Sequence, residues 1–170
     1  MWDSAVKQSK AERDVLARIG ATLIQIQRTE LMVNFCIKHV MPKRAKPSKD
    51  MSEPKGKRPP LGGLIAELHR HVVVPKPFEA TLEEFLDKRN ALVHQIEFIP
   101  NWTLQHKRGL IAANAFLDRL DALERKVRNV FDALLKAWNL EHGGAGQEGC
   151  LRPISDKAYL RLAKSLFPER

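Results

Sequence analysis

Two long segments of the chain carry apolar residues at alternating spacings of three and four, the period of an α-helix with one buried face. The first segment runs from Ser4 to about Met41, and its repeating positions are Leu16, Ile19, Leu23, Ile26, Val33, Ile37 and Val40. The second runs from about Thr103 to Leu140, and its positions are Leu110, Ala113, Leu117, Leu120, Val127, Phe131, Leu134 and Trp138. Helices this long must bury such stripes against other helices, so the pattern predicts an all-α bundle.

Two shorter helices are predicted between these segments. One runs from Leu61 or Gly62 to Val72, and its apolar face consists of Leu64, Ile65, Leu68 and Val72. Thr81 and Glu84 form a capping-box pair, which predicts a further helix from Thr81 to about Glu97. Its buried side is expected to consist of Leu82, Phe85, Leu86, Leu92, Val93 and Ile96. The run of valines at 72–74 is not assigned to a strand, because no comparable partner strand is visible.

The segment 42–60 is predicted to be a mobile basic loop between helices one and two. It contains five prolines and seven basic residues against two acidic ones, a net charge of +5. The basic residues are Lys43, Arg44, Lys46, Lys49, Lys55, Lys57 and Arg58. With almost no apolar side chain, the segment cannot bury enough surface to offset its ordering entropy. Either it is a flap that contacts RNA backbone or it is only a solvated linker.

A length of 170 residues fits one domain. Residues 1–142 are interpreted as an antiparallel, up-and-down four-helix bundle, and residues 143–153 as a glycine-rich connector. Within 154–170, a short amphipathic helix from about Ser155 to Leu166 is expected to pack on the bundle or on a second subunit. The glycines do not indicate a phosphate-binding loop, because no strand precedes them.

Composition excludes several classes of protein. No run approaches the ~20 apolar residues that span a bilayer, and the N-terminus does not resemble a signal peptide. Cys36 and Cys150 have no cysteine or histidine nearby at ligand spacing, so neither a disulfide framework nor a zinc site is indicated. We expect a cytoplasmic protein without a cofactor. The net charge of +9 and the pI near 9.8 favour a polyanionic partner.

The hexapeptide Arg89-Asn90-Ala91-Leu92-Val93-His94 places a cation, an amide and an imidazole within two helical turns. Arginine binds phosphate through a planar fork of donors, and histidine transfers protons near neutrality, a pairing suited to phosphodiester cleavage. At about 100° per residue, Asn90 and His94 share a face, whereas Arg89 and His94 point about 140° apart. One helix therefore closes poorly around a small target, and two facing copies are expected to do better.

Glu30 stands in the predicted apolar stripe of the first helix, where a buried carboxylate needs a partner. It either orients Arg89 or His94 from the neighbouring helix, or it lies at the edge of the stripe in a structural ion pair.

The stretch Pro60-Leu61-Gly62-Gly63-Leu64-Ile65, a helical segment, and then 85–94 resemble the HEPN superfamily. Members are all-helical, and many are RNases with an Arg and a His separated by four to six residues, often with a polar residue after the Arg. Here the gap is four and the polar residue is Asn90. One branch carries a tyrosine two positions after the His that becomes modified. Ile96 stands there in this chain, so that regulation is not expected.

The resemblance implies a bundle whose catalytic pocket is formed where two protomers meet, and so a homodimer acting on RNA. The expected reaction is metal-independent cleavage by the ribose 2′-hydroxyl, with His94 as general acid or base and Arg89 stabilising the phosphorane. Asn90 would hold His94 or the ribose, and Lys88 with the basic loop would position the backbone. A role as a toxin or phage-defence effector, with a neutralising or regulatory protein partner, is also implied.

Two other interpretations are open. A non-catalytic helical module that binds nucleic acid or protein would use Arg89 and His94 only to tie helices together. An interaction subunit that dimerises through its long helices would explain the stripes but not the hexapeptide. No carboxylate cluster suited to two metal ions is visible, so a magnesium nuclease is not expected.

Overall fold

The computed structural model describes residues 9–41, 61–142 and 155–166, and the regular structure within these ranges is entirely helical. The helices are α1 (Lys10–Phe35), α2 (Leu61–His71), α3 (Lys76–His94), α4 (Lys107–His142) and α5 (Asp156–Leu166). A π-helical turn, Cys36–Val40, extends α1, and a 3-10 turn, Ile96–Phe98, follows α3. The predicted all-α class is confirmed, and the valines at 72–74 form no strand.

α1 begins at Lys10 and not at Ser4, because Ser9 is its N-cap. The Ser9 hydroxyl accepts a hydrogen bond from the Glu12 N–H at 3.2 Å, and the Glu12 carboxylate accepts one from the Ser9 N–H at 2.8 Å. This reciprocal pair satisfies two backbone donors that a helix start leaves without partners. The predicted helical residues 4–8 lie outside the described ranges.

The predicted start of α3 at Thr81 is wrong, since the helix begins five residues earlier with Pro75 as N-cap. Pro77 lies within the first turn, where its missing N–H costs nothing. The Thr81 hydroxyl instead donates to the Pro77 carbonyl at 2.9 Å, one turn back inside the helix. The helix ends at His94, three residues before the predicted end at Glu97.

The buried face of α1 lies one residue away from part of the predicted stripe. Val15 is buried, whereas Leu16 is exposed, so its assignment to the core is wrong. Thr29 is buried and the adjacent Glu30 is only half-buried, so Glu30 lies at the edge of the stripe. Val93 of α3, also expected inside, is exposed. The remaining stripe positions on α1 and α4 are buried or half-buried as predicted.

α1 and α4 run parallel, so the expected antiparallel arrangement of neighbouring helices is wrong for this pair. Arg18 bonds to Asp118, Thr29 bonds to Glu124, and the Cys36 thiol lies 3.7 Å from the Phe131 carbonyl oxygen. Residue numbers thus rise together along both helices.

α2 and α3 form an antiparallel hairpin, in which His69 of α2 faces Glu79 of α3 at 3.6 Å. α3 also runs antiparallel to α4, because Glu84 pairs with Arg119 and Phe78 contacts Phe131. The core between α1, α2, α3 and α4 is built around large, fully buried side chains: Ile26, Leu68, Leu82, Phe85, Leu117, Leu120 and Phe131.

α5 packs on α4, and Tyr159 fixes it to the rest of the chain. The Tyr159 side chain is buried, and its hydroxyl donates to the Val73 carbonyl at 3.3 Å. As predicted, Ser155 caps this helix, since its hydroxyl accepts from the Ala158 N–H at 3.2 Å. Within the described part of the chain, no helix has an apolar run long enough to cross a membrane.

Candidate active site

His94 is the last residue of α3, and its side chain is exposed. The helix ends there because Gln95 leaves helical geometry, at φ −142° and ψ 36°. The chain then makes the 3-10 turn and reverses at Asn101, whose φ of 59° lies in the left-handed region that Asn tolerates better than most residues. The imidazole therefore stands at the rim of the bundle, where a large ligand can reach it.

Arg89 and His94 meet within a single chain. Arg89 Nη1 lies 3.5 Å from His94 Nε2, within reach of a hydrogen bond when Nε2 carries no proton. The 140° separation of the two positions therefore does not separate the side chains, because the long arginine extends along the helix surface. The expectation that the two side chains point apart is wrong.

Glu30 of α1 holds the guanidinium from the neighbouring helix. Arg89 Nε donates to Glu30 Oε1 at 3.0 Å, and the two side chains are only 18% and 20% exposed. Glu30 was expected either to orient Arg89 or to form a structural ion pair. The observed contact is consistent with both interpretations. The carboxylate binds the Nε edge of the guanidinium, and Nη1 on the other edge faces His94.

Asn90 contacts Arg89 rather than His94. Its side-chain oxygen accepts from Arg89 Nη1 at 3.0 Å, so the amide and the imidazole approach the same guanidinium nitrogen. Within the described residues, Arg89 Nη2 donates to no acceptor. The guanidinium is thus fixed by two contacts and keeps donors that an anionic ligand can use.

Lys88 lies on the side of α3 that faces α4. Its Nζ lies 5.2 Å from the centre of the Phe116 ring, a cation–π contact, and Phe116 packs edge-on against Trp102. One turn earlier, Glu84 pairs with Arg119 of α4, whose guanidinium lowers the pKa of the Glu84 carboxyl. Lys88 therefore lies next to the Glu84–Arg119 ion pair at the contact between α3 and α4.

The other residues predicted to bind RNA, Lys43, Arg44, Lys46, Lys57 and Arg58, lie outside the described ranges.

A buried carboxylate that was not singled out in the sequence contacts Thr29. Glu124 of α4 accepts from the Thr29 hydroxyl at 2.6 Å and pairs with Arg128 at 3.4 Å. Its side chain is 6% exposed. The signal was present, because Glu124 stands at a stripe position between Leu120 and Val127. Glu124 thus ties α4 to α1 one residue before Glu30.

Among the described residues, no group of three or more His, Cys, Asp or Glu side chains is placed to hold a metal ion. Comparisons with family models, curated proteins and solved structures returned no significant match. Function is therefore inferred from the chemistry of the site itself.

Proposed function

We propose that the protein is a metal-independent endoribonuclease of HEPN type, with Arg89 and His94 as its catalytic residues. The observation that carries the proposal is their convergence at 3.5 Å on the exposed end of α3, with Glu30 holding the guanidinium from α1. A fixed cation beside an accessible imidazole supplies charge stabilisation and proton transfer, two contributions that speed phosphodiester cleavage by an internal nucleophile.

In the proposed reaction, the ribose 2′-oxygen attacks the adjacent phosphorus and the bond from phosphorus to the 5′-oxygen breaks. The proton of the 2′-hydroxyl passes to a base, and an acid protonates the departing 5′-oxygen. The products are a 2′,3′-cyclic phosphate and a 5′-hydroxyl end. His94 serves one of these proton transfers, a role worth about 10²- to 10⁴-fold in rate.

Arg89 is assigned to the charge that develops on the phosphorane. Its Nε is already bound to Glu30, so the donors on the Nη edge are the ones that can bind non-bridging oxygens. Glu30 is a positioning residue, because it fixes the fork before substrate arrives. Asn90 supports the same fork through its side-chain oxygen.

A homodimer would supply both proton-transfer groups. One imidazole cannot take one proton and give another at two oxygens at the same instant, whereas a second copy contributes a second His94. A two-fold axis brings the same helix to the shared site twice. We propose that Lys88 and the basic residues of 42–60 bind RNA backbone without reading bases, in keeping with the net charge of +9.

Cleavage of cellular RNA in the cytoplasm would arrest growth. We accordingly propose a toxin or phage-defence effector, restrained by a neutralising or regulatory protein partner.

A second candidate is a non-catalytic helical module that binds nucleic acid or protein. The observation that favours it is the Arg89–Glu30 ion pair itself, since a largely buried pair between α1 and α3 is also how a bundle ties its helices together. Under this alternative the +9 charge supports binding, and His94 has no part in chemistry.

The two candidates are separated by incubating purified protein with total RNA in excess chelator. Wild type is expected to cut and to leave 2′,3′-cyclic phosphate ends. Arg89→Ala and His94→Ala are expected to be inactive while retaining wild-type helicity. His106→Ala, an exposed histidine just before α4, is the matched control and keeps full activity. Equal behaviour of all four proteins would remove the RNase proposal and leave the binding module.

A further inference from the structure

Phe98 is the most exposed aromatic residue in the described ranges, and it lies four residues after His94. It is 75% exposed, whereas Phe35, the next aromatic residue in that order, is 38% exposed and packs against Trp138. A phenyl ring left in water carries apolar area whose burial is favourable. A ring held in this way beside a candidate active site is available to a ligand.

The exposure of Phe98 does not result from a loosely held backbone. The Phe98 N–H donates to the Gln95 carbonyl at 2.9 Å, and the Trp102 N–H donates to the Ile99 carbonyl at 3.0 Å. Ile99 is buried, and Trp102 packs edge-on against Phe116. The turn is thus anchored by its other apolar residues. A backbone that is already ordered adds no loop-ordering cost when a ligand binds.

A second exposed apolar side chain precedes His94 directly. Val93, predicted to be buried, is 41% exposed. It follows Arg89 by four residues, so the two side chains share one face of α3. Gln95, which is also exposed, adds an amide that can both donate and accept hydrogen bonds. Phe98 therefore belongs to a short exposed segment with apolar, amide and cationic groups, which are the groups that contact a nucleotide.

The length of chain between His94 and Phe98 limits how far apart they lie. Four residues span at most about 14 Å from Cα to Cα, and the 3-10 turn Ile96–Phe98 shortens that span. The phosphate and the base of a nucleotide are covalently linked. A strand whose phosphate contacts Arg89 therefore brings a base of the same or an adjacent nucleotide near the ring.

The charges near the turn favour a nucleic acid strand as the ligand. Lys107 and Arg108 are exposed at the start of α4, where no acidic residue occupies the first turn. Cations at a helix N-terminus oppose the helix dipole, so they do not stabilise α4. They can attract the phosphates of a strand. Glu97, exposed beside Phe98, repels phosphate, so the ring itself suits a base better than the backbone.

We propose that Phe98 is a base-stacking residue, whose ring binds the face of one base in single-stranded RNA next to the bond that Arg89 and His94 cleave. The inference rests on the proposed function and adds a subsite for a base. Every base has a π-face, so we expect the subsite to accept all four bases. It requires an unpaired strand, because the bases of a duplex are already stacked on one another.

Anisotropy of a fluorescein-labelled single-stranded RNA in excess chelator tests the subsite. His94→Ala protein is the parent, so that the strand stays intact. Adding Phe98→Ala is expected to raise Kd by about 5- to 150-fold, the range for loss of one base–aromatic stack. Phe98→Trp keeps a planar ring and is expected to bind at least as tightly as the parent. Phe98→Leu, apolar but not planar, is expected to bind as weakly as Phe98→Ala.

Three controls separate stacking from other effects. Val73→Ala removes an apolar side chain that is 78% exposed between α2 and α3, and it is expected to keep the parent Kd. Phe98→Ala is expected to leave the slope of log K against log salt unchanged, because the ring contacts no phosphate, whereas Arg89→Ala lowers that slope. RNAs that lack one base each are expected to cancel the Phe98→Ala effect at a single position.

A Kd that does not respond to Phe98→Ala, or a Phe98→Leu variant that binds as tightly as Phe98→Trp, overturns the proposal. A wild-type protein that cuts RNA although Kd is independent of Phe98 removes the base subsite and leaves the RNase proposal. Binding that depends on Phe98 in a protein that never cuts RNA removes the RNase proposal and leaves the stacking residue. Absence of RNA binding removes both.

Discussion

The ion pair between Glu30 and Arg89 is expected to stabilise the fold measurably, unlike most ion pairs on a protein surface. Exposed pairs contribute about 0.2–1 kcal/mol, and hydrogen bonds to charged groups about 1.5–3 kcal/mol. With a 3.0 Å contact and side chains about one-fifth exposed, this pair lies between the two classes. We expect a coupling free energy of about 1–2 kcal/mol.

The measurement is a double-mutant cycle with Glu30→Gln and Arg89→Gln, each protein unfolded in denaturant. The cycle isolates the pairwise free energy from the separate effects of the two substitutions. Asp132 and Lys136 on α4 provide the control pair, at 2.8 Å but with side chains 49% and 73% exposed. Its coupling is expected to stay below about 0.5 kcal/mol.

The same Glu30→Gln variant tests the positioning role. If Glu30 fixes the guanidinium for catalysis, its loss is expected to lower RNA cleavage by about 10- to 100-fold, because small displacements of a positioned group are costly. A Glu30–Arg89 coupling no larger than that of the control pair would refute the reasoning, since the contact would then neither stabilise the fold nor hold Arg89 in place.

Three further outcomes are expected. Thr29→Val is expected to destabilise the fold by about 1.5–3 kcal/mol, because it removes the 2.6 Å hydrogen bond to the buried Glu124 carboxylate and leaves that group only its longer contact with Arg128, whereas Thr81→Val, read in the same denaturant curves, should cost far less. Gly20→Ala is expected to raise the melting temperature, whereas Gly109→Ala should lower it, because its Cβ would overlap the Thr103 carbonyl; shifts of the same sign would contradict this. Burial raises the pKa of the Cys36 thiol from 9.0 to about 12, so the folded state favours the protonated thiol. That contribution to stability is complete below pH 9 and is lost as pH rises toward 12, a loss that Cys36→Ala should remove.

The helices could largely be read from the sequence, because apolar periodicity follows directly from burial. Leu61–His71 and Asp156–Leu166 fall within a residue or so of their predicted limits. The start of α3 could not be read this way, since Thr81 and Glu84 match a capping box equally well inside a helix. The register of α1 was misread around Leu16 and Glu30 because threonines occupy two buried positions.

The apolar pattern of the sequence could not predict the relative directions of the helices. A stripe records which face is buried but not which neighbour buries it, and a long connection such as 42–60 can return the chain to either end of the bundle. The parallel pairing of α1 and α4 depends on polar partners such as Thr29 and Glu124 that are far apart in the chain.

At the candidate site, too, the sequence indicated which residues are involved but not how their side chains are arranged. Spacing along one helix suggested that Arg89 and His94 diverge, but it describes the directions of Cα–Cβ bonds and not the reach of an arginine side chain. The sequence offered Glu30 as a partner of Arg89 or His94, but the choice of Arg89 required knowledge of how α1 and α3 pack.

The most direct test of the central claim uses a DNA oligonucleotide that contains a single ribonucleotide. In excess chelator, wild type is expected to cut only on the 3′ side of that ribonucleotide and to leave a 2′,3′-cyclic phosphate, while His94→Ala leaves the strand intact. Cleavage of an all-DNA strand, or cutting that persists in His94→Ala, would contradict attack by a 2′-hydroxyl assisted by this imidazole.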